Sequence, residues 1–397
     1  MMLKRFINFA IKIFASLFPS EKPLLLTGKD SALKLASLLR LSGYRRPLLV
    51  TEKSLLELGL LDGVLGQLKN EGCDVSLFDG VVPNPTCDVV EVGISACKAN
   101  DCDSVFVVGG GSAIDVAKVI AACRAMNVGV HAVVGLLKVK QPTLPLYVVP
   151  TTSGTGSEVT STAVISDTKT HEKNFVVDPK LIPSVVALDP ELIKSLPSHI
   201  TAATGMDALT HAIEAYTSLN RFSDAERDAE LAIQLLIKYL PVVCEDGNNI
   251  KAREWVAIAS FLAGYAFNKS GLGYVHAISH QISALYNTPH GIANAVILTR
   301  VLRFNQGVCA HRLAKLETML DDDAKGSEDS LANRFVERVE LFAKRLDIPS
   351  ELAELETKHF DEITTNALKE ARWSYAIPRN MSRAQCKEIL SSIAAAA

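Results

Sequence analysis

No charge of one sign dominates this chain. Its 41 basic and 44 acidic side chains are spread along 397 residues and leave a formal net charge of −3, so it carries no electrostatic footprint for nucleic acid. A small-molecule partner is expected instead. No CxxC pair occurs among the eight cysteines, which stand at positions 73, 87, 97, 102, 123, 244, 309 and 386, mostly in apolar stretches such as Ala121-Ala122-Cys123. That pattern predicts buried, reduced thiols and a reducing, cytoplasmic compartment, because disulfides persist in oxidising ones. Also missing is an apolar run of the about 20 residues that span a bilayer, so no integral membrane span is expected. The first 20 residues, MMLKRFINFAIKIFASLFPS, come nearest, but Lys12 interrupts them and no small-residue cleavage site follows. They read as a surface-docked amphipathic helix, with peripheral membrane contact through Phe6, Ile13 and Leu17 as the alternative. No internal repeat is visible, and the one low-complexity stretch, Ala394 to Ala397, reads as a frayed helix end.

What is present is the composition of a globular protein, with 48% hydrophobic and 21% charged residues and 23 Gly against 16 Pro. The length exceeds one ordinary core, so two domains are expected after an N-terminal extension at 1–21. From Lys22 to Leu196, short β-branched runs alternate with helical patterns, which predicts strand-helix-strand units and a parallel sheet. Candidate strands are Pro47 to Thr51, Asp74 to Phe78, Ser104 to Val108, Leu144 to Val149 and Val185 to Leu188. Beyond His199 the apolar spacing turns helical, as in Ala225 to Tyr239 and Ala252 to Tyr265, with almost no strand signal. The boundary is placed after Leu196-Pro197-Ser198, where proline disfavours helix in the residue before it and Ser198 is positioned to cap the next helix. The expected architecture is an α/β domain at 22–198 and an all-helical domain at 199–397.

Two loops in the first domain suit a nucleotide. Ser104-Val105-Phe106-Val107-Val108 runs into Gly109-Gly110-Gly111-Ser112 and then a helical pattern from Ala113 to Cys123. Glycines there let backbone N–H groups approach a pyrophosphate at the positive end of the helix; a plain tight turn is the alternative. Pro150-Thr151-Thr152-Ser153-Gly154-Thr155-Gly156-Ser157-Glu158 follows another strand and offers hydroxyls where ligands bind in open α/β sheets, or reads simply as a polar surface loop. Glu52, after the strand Pro47 to Thr51, either accepts from ribose hydroxyls and repels a 2′-phosphate, favouring NAD over NADP, or complements the dipole of the next helix.

The helical half carries a second constellation. Of nine histidines, His211, His276, His280 and His290 fall in one 80-residue window, and Asp207 lies four residues ahead of it. Asp207 and His211 are four apart and share a helix face, so carboxylate and imidazole can close on one ion. His276 and His280 repeat that spacing, and Pro289-His290-Gly291 sets the last histidine at a bend. Each histidine alone also reads as a hydrogen-bonded core residue. Three nitrogens and one carboxylate oxygen together suit iron(II) or zinc.

These residues resemble the iron-containing (group III) alcohol dehydrogenases, whose relatives include lactaldehyde reductase and glycerol dehydrogenase. The likeness runs from Lys22 to Arg379 and is carried by GGGSAIDVAK at Gly109 to Lys118, PTTSGTGSEVT at Pro150 to Thr160, GMDALTHAIEAY at Gly205 to Tyr216, and GLGYVHAISHQISALYNTPHGIAN at Gly271 to Asn294. The resemblance implies a dehydroquinate synthase-like architecture, a Rossmann-like α/β domain followed by an all-α domain. It implies metal ligation by Asp207, His211, His276 and His290, with His280 near the nicotinamide and Phe267 as a pocket-lining aromatic, a plain core Phe being the other reading. It implies an NAD site formed by Glu52, Asn84, Gly110, Gly111, Ser112, Asp115, Thr151, Thr152, Thr155, Thr160, Lys173 and Leu196. His131, His171, His199, His311 and His359 are left without a role.

Two departures stand out. Relatives often have Asp where this chain has Glu52, which keeps the charge, and a cysteine segment ending in Asn-Pro-Arg where this chain has Ala371-Arg372-Trp373-Ser374 and Ile377-Pro378-Arg379. The implied activity is hydride transfer between a metal-bound alcohol and NAD, with Fe2+ or Zn2+, a small alcohol or aldehyde as substrate, and a homodimer or larger homo-oligomer. Competing readings are a dehydroquinate synthase-like lyase, a glycerol dehydrogenase-like enzyme, and a binding or filament protein attached through residues 1–20.

Overall fold

The computed structural model describes residues 22–168 and 173–395. The amphipathic helix expected in the first 20 residues, His171 and the end of the Ala394 to Ala397 run lie outside the described residues. Two compact units divide the chain between Ser195 and Leu196.

The first unit is built on strands β1 (Leu24–Thr27), β2 (Pro47–Glu52), β3 (Ser76–Val81), β4 (Ser104–Gly109), β5 (Gly135–Leu136), β6 (Leu146–Pro150), β7 (Thr162–Ser166), β8 (Lys173–Val177) and β9 (Val185–Leu188). Helices α1 (Ser31–Leu41), α2 (Lys53–Glu57), α3 (Asp62–Asn70), α4 (Cys87–Ala99), α5 (Gly111–Met126) and α6 (Pro190–Ile193) connect them. Six strands form one sheet in the order β1-β9-β6-β4-β2-β3, every neighbouring pair parallel. β4 reads as a continuous apolar run because every one of its residues is buried, as a parallel strand covered on both faces requires. α5 is apolar nearly all round for the same reason, with Ala113 to Cys123 buried apart from Asp115. All five expected strands are present. The small sheet β5-β8-β7, with its antiparallel β7/β8 pair, and the edge strand β1 go beyond that expectation.

Connections from β2 run to β3 on one side and return to β4 on the other, so the strand order switches between β2 and β4. Their carboxyl ends, Glu52 and Gly109, therefore open the crevice where open α/β sheets bind ligands.

The second unit holds helices α7 (Ser198–Thr217), α8 (Ser223–Glu245), α9 (Ile250–Ser270), α10 (Tyr274–Tyr286), α11 (His290–Leu320), α12 (Glu328–Arg345), α13 (Phe360–Ser374) and α14 (Arg383–Ser391). No strand occurs in it among the described residues, apart from an isolated bridge between Leu352 and Ala394. Ala225, Ala229, Ala232, Ile233, Leu236, Leu240 and Val243 on α8 are buried at helical spacing and join one apolar core with α7, α9, α10 and α11. Ser198 does not cap α7: Pro197 occupies the cap position, and the Ser198 hydroxyl donates to the Cys244 carbonyl at 2.8 Å. Pro289-His290-Gly291 is a bend that leads directly into α11, with His290 its first residue. Gly291 is required there, since a Cβ would overlap the Ala203 carbonyl on α7.

All eight cysteines are free; Cys73 and Cys244 are half-buried and the rest buried. No helix among the described residues is long and apolar enough to cross a membrane.

Candidate functional site

Asp207, His211 and Glu214 follow one another on a single face of α7 and are all buried. α10 contributes His276 in its first turn and His280 one turn later, and α11 contributes His290 and, one turn on, Asn294. The Nε2 atoms of His211, His276 and His290 lie 3.9, 3.8 and 3.8 Å from Asp207 Oδ1. Two donors bound at about 2.1 Å to a common ion lie at most about 4.2 Å apart, so each of these pairs can share one. The tightest group is Asp207, His276 and His290, whose donor atoms are all within 4.8 Å of one another. His211 meets the group through Asp207 and by stacking on His276, ring centroids 4.6 Å apart. Phe267 stacks on His211 in turn, its ring 4.3 Å from the His211 ring and tilted by 22°.

The donor set fits a divalent cation. Glu214 accepts from the Gly273 and Val275 N–H groups at 2.8 and 2.7 Å, which tethers the start of α10, and lies 2.6 Å from His276 Nδ1. A carboxylate there holds the proton on Nδ1 and leaves the Nε2 lone pair directed at Asp207. Burial and the neighbouring imidazoles hold the His276 pKa well below its usual value, so the ring is neutral. Burial raises the Glu214 and Asp207 carboxyls, opposed at Glu214 by the backbone N–H groups of α10 and at Asp207 by His290 and Asn294. The Asn294 amide nitrogen donates to Asp207 Oδ1 at 2.6 Å and stands 3.1 Å from Nε2 of both His276 and His290. The positive end of an amide dipole thus sits where the acceptors converge.

His280 is half-buried beside this group, its ring parallel to His290 at 5.2 Å. Its Nδ1 is 2.7 Å from Glu370 Oε1 on α13, and the same carboxylate accepts from Tyr375 Oη at 2.6 Å and Gln281 Nε2 at 2.9 Å. Sequence reasoning missed Glu214, Asn294 and Glu370. Glu214 lies three residues after His211 and Asn294 four after His290, and that helical spacing was a usable signal. Glu370 had none.

In the α/β unit, Glu52, Gly110, Gly111, Thr152 and Thr155 are brought together. Gly110 N–H donates to Glu52 Oε1 at 3.3 Å. A Cβ on Gly110 would lie 3.6 Å from Thr152 Cγ2, and one on Gly111 only 2.9 Å from Thr155 Cγ2. Ser112 stands half-buried in the first turn of α5, and Thr151 is buried with its N–H donating to the Gly109 carbonyl at 3.0 Å. Asp115 is engaged within the protein, accepting from Ser157 Oγ at 2.5 Å and Val164 N–H at 2.9 Å. Thr160 likewise serves Lys118, whose buried ammonium donates to the Thr160 carbonyl and hydroxyl at 2.8 and 3.0 Å and to the Thr162 carbonyl at 2.9 Å. Burial lowers the Lys118 pKa to about 8 and raises Glu158 to about 7. Asn84 is exposed in the loop between β3 and α4 with φ 52°, and Lys173 opens β8. Leu196 falls in the helical unit, where its carbonyl accepts from Arg253 Nη2 at 3.0 Å.

Comparison with known proteins agrees with both halves. The family model for iron-containing alcohol dehydrogenase matches residues 23–190, and that for the C-terminal part of the Fe-containing alcohol dehydrogenase family matches residues 201–394. Alcohol dehydrogenase 4 of Schizosaccharomyces pombe is 38% identical over 87% of this chain and 82% of its own. The NAD-dependent methanol dehydrogenase of Bacillus methanolicus is 37% identical over 85% and 89%. A solved structure of 1,3-propanediol oxidoreductase superposes with a TM-score of 0.90 at 35% identity, covering 93% of this chain and 98% of the other. With two thirds of each relative covered at more than 30% identity, and both halves matched in order, the chain belongs to the iron-containing alcohol dehydrogenase family.

Proposed function

We propose that this protein is an NAD(H)-dependent alcohol dehydrogenase and aldehyde reductase that holds one divalent ion, iron(II) with zinc as the alternative, on Asp207, His211, His276 and His290. The observation that carries this reading is the convergence of three imidazole Nε2 atoms on one Asp207 oxygen. When bound, the ion supplies Lewis acidity toward an alcohol oxygen and the nicotinamide a hydride acceptor. Glu214 fixes the tautomer of His276, and Phe267 holds the plane of His211. His280, tied at Nδ1 to Glu370, keeps Nε2 as the atom that takes up or returns the hydroxyl proton. In the α/β unit, Gly110, Gly111, Ser112, Thr151, Thr152 and Thr155 receive the phosphates. Glu52 selects NAD through the ribose, while Asp115, Thr160, Asn84 and Lys173 shape the surrounding loops; Leu196, the remaining proposed cofactor residue, lies in the helical unit.

The substrate is a short alcohol, diol or aldehyde. The protein acts in the cytoplasm, a reading supported by its eight free thiols, and as a homodimer or larger homo-oligomer, a reading supported by β1, an edge strand with Leu24 57% exposed. Anaerobic purification with metal analysis, then NAD(H)-linked assays over a panel of alcohols, diols and aldehydes, tests the proposal. A metal-loaded protein that turns over none of them, or a His276→Ala variant with full metal content at this site, would sink it.

A further inference from the structure

Cys87, His131 and Asp167 take no part in the site described above, yet the fold gathers their donor atoms. The Cys87 sulfur, one His131 ring nitrogen and one Asp167 carboxylate oxygen all lie within 4.8 Å of one another. They come from three elements of the α/β unit. Cys87 opens α4, His131 sits in a short 3-10 turn, Val130–Ala132, and Asp167 directly follows β7.

Each is held in place by its neighbours. An isolated bridge pairs Thr86 with Ser166, the residues immediately before Cys87 and Asp167, and Ser166 N–H donates to the Pro85 carbonyl at 2.8 Å. Glu91, one helical turn beyond Cys87, accepts from Val130 N–H at 2.7 Å and so fixes the turn that presents His131. Thr168 Oγ1 donates to Asp88 at 2.9 Å, tying the residue after Asp167 to the same helix. From β8, Asn174 Nδ2 donates to the Cys87 sulfur at 3.7 Å. The three donors are therefore set by backbone pairing and by hydrogen bonds from their sequence neighbours.

Charge and chemistry agree with a cation. Asp88, Glu91 and Asp167 all place negative charge around the Cys87 thiol. Cys87 and Asp167 are buried while His131 is exposed, so the group opens to solvent on the imidazole side, where water can complete a coordination shell. Thiolate, imidazole and carboxylate together suit a borderline-soft divalent ion; magnesium and calcium, which take oxygen ligands, do not match.

We propose that Cys87, His131 and Asp167 form a second metal site, taking a zinc-like divalent cation through one sulfur, one nitrogen and one oxygen, independent of the ion held in the helical unit. The test uses the full-length protein stripped with a chelator, reloaded with cobalt(II), dialysed and analysed for bound metal and visible and near-ultraviolet absorption. Wild type is expected to show thiolate-to-cobalt charge transfer and to hold one equivalent more than Cys87→Ser or His131→Ala, both of which lose that absorption. His276→Ala is expected to keep it, which separates this site from the proposed catalytic one. Cobalt should also slow alkylation of Cys87 at least tenfold in wild type and not in His131→Ala. His131 is solvent-exposed, so its removal leaves the packed core intact even where a change at Cys87 perturbs folding. Absence of thiolate absorption in cobalt-loaded wild type, or retention of the extra equivalent in His131→Ala, would overturn the proposal.

Discussion

At the scale of single residues, the candidate centre depends on groups that would not touch the ion. Glu214 joins the start of α10 to α7 and sets the proton on His276 Nδ1. Outer partners of this kind typically contribute 10- to 100-fold in metal affinity. Glu214→Gln, which keeps the shape and removes the charge, is expected to weaken iron(II) or zinc binding by about tenfold or more, measured by competition with a chromophoric chelator. Unchanged affinity would show that the buried carboxylate serves only to cap the helix. Glu370 has the same relation to His280. His280→Ala and Glu370→Ala are each expected to lower kcat while leaving the KM for NAD unchanged. The double variant should be no slower than His280→Ala, because groups that act as a unit are not additive. Additive losses would mean that Glu370 acts through something other than His280.

At the scale of elements, the sequence was most readable where one periodicity served one environment. β4 is buried on both faces and reads as an unbroken apolar run from Val105 to Val108; the α7 pair Asp207 and His211 is visible because four residues make about one helical turn. The small sheet was harder to see, since β7 and β8 are short and only half buried, and their pairing depends on which segments meet in space. Glu370 is legible only in three dimensions, 90 residues beyond its partner His280. Lys118 is a similar case. Its sequence neighbourhood reads as an apolar helix face, yet its ammonium is wholly buried and ties α5 to the Thr160 and Thr162 carbonyls and to Ser157 Oγ. Removing one member of a buried charged network costs about 3 to 5 kcal/mol. Lys118→Met is therefore expected to destabilise the α/β unit on that order in denaturant titration and to raise the KM for NAD, because the Pro150 to Thr160 loop loses its anchor. A variant as stable as wild type would show that the loop is held by its backbone alone.

At the scale of the whole molecule, each unit has a large apolar core of its own among the described residues. One is built on α1, α3 and the parallel sheet, the other on the helices beyond Leu196. The proposed metal ligands all lie in the helical unit, and all the proposed nucleotide residues except Leu196 lie in the α/β unit, so each ligand stabilises mainly the unit that binds it. A ligand at about 100 times its Kd adds about 2.7 kcal/mol to the state that binds it. Hydrogen exchange limited by opening of that unit should slow by up to about 100-fold. Iron(II) or zinc is therefore expected to slow exchange in α7, α10 and the first turns of α11 while leaving β4 and α5 nearly unchanged. NAD should do the reverse, protecting residues 109–118 and 151–160. In His276→Ala the metal-dependent protection of α7 and α10 should vanish while the NAD-dependent protection persists. If either ligand instead slowed exchange equally in both units, the two units would open as one cooperative body, and the claim that each ligand stabilises mainly the unit that binds it would be wrong.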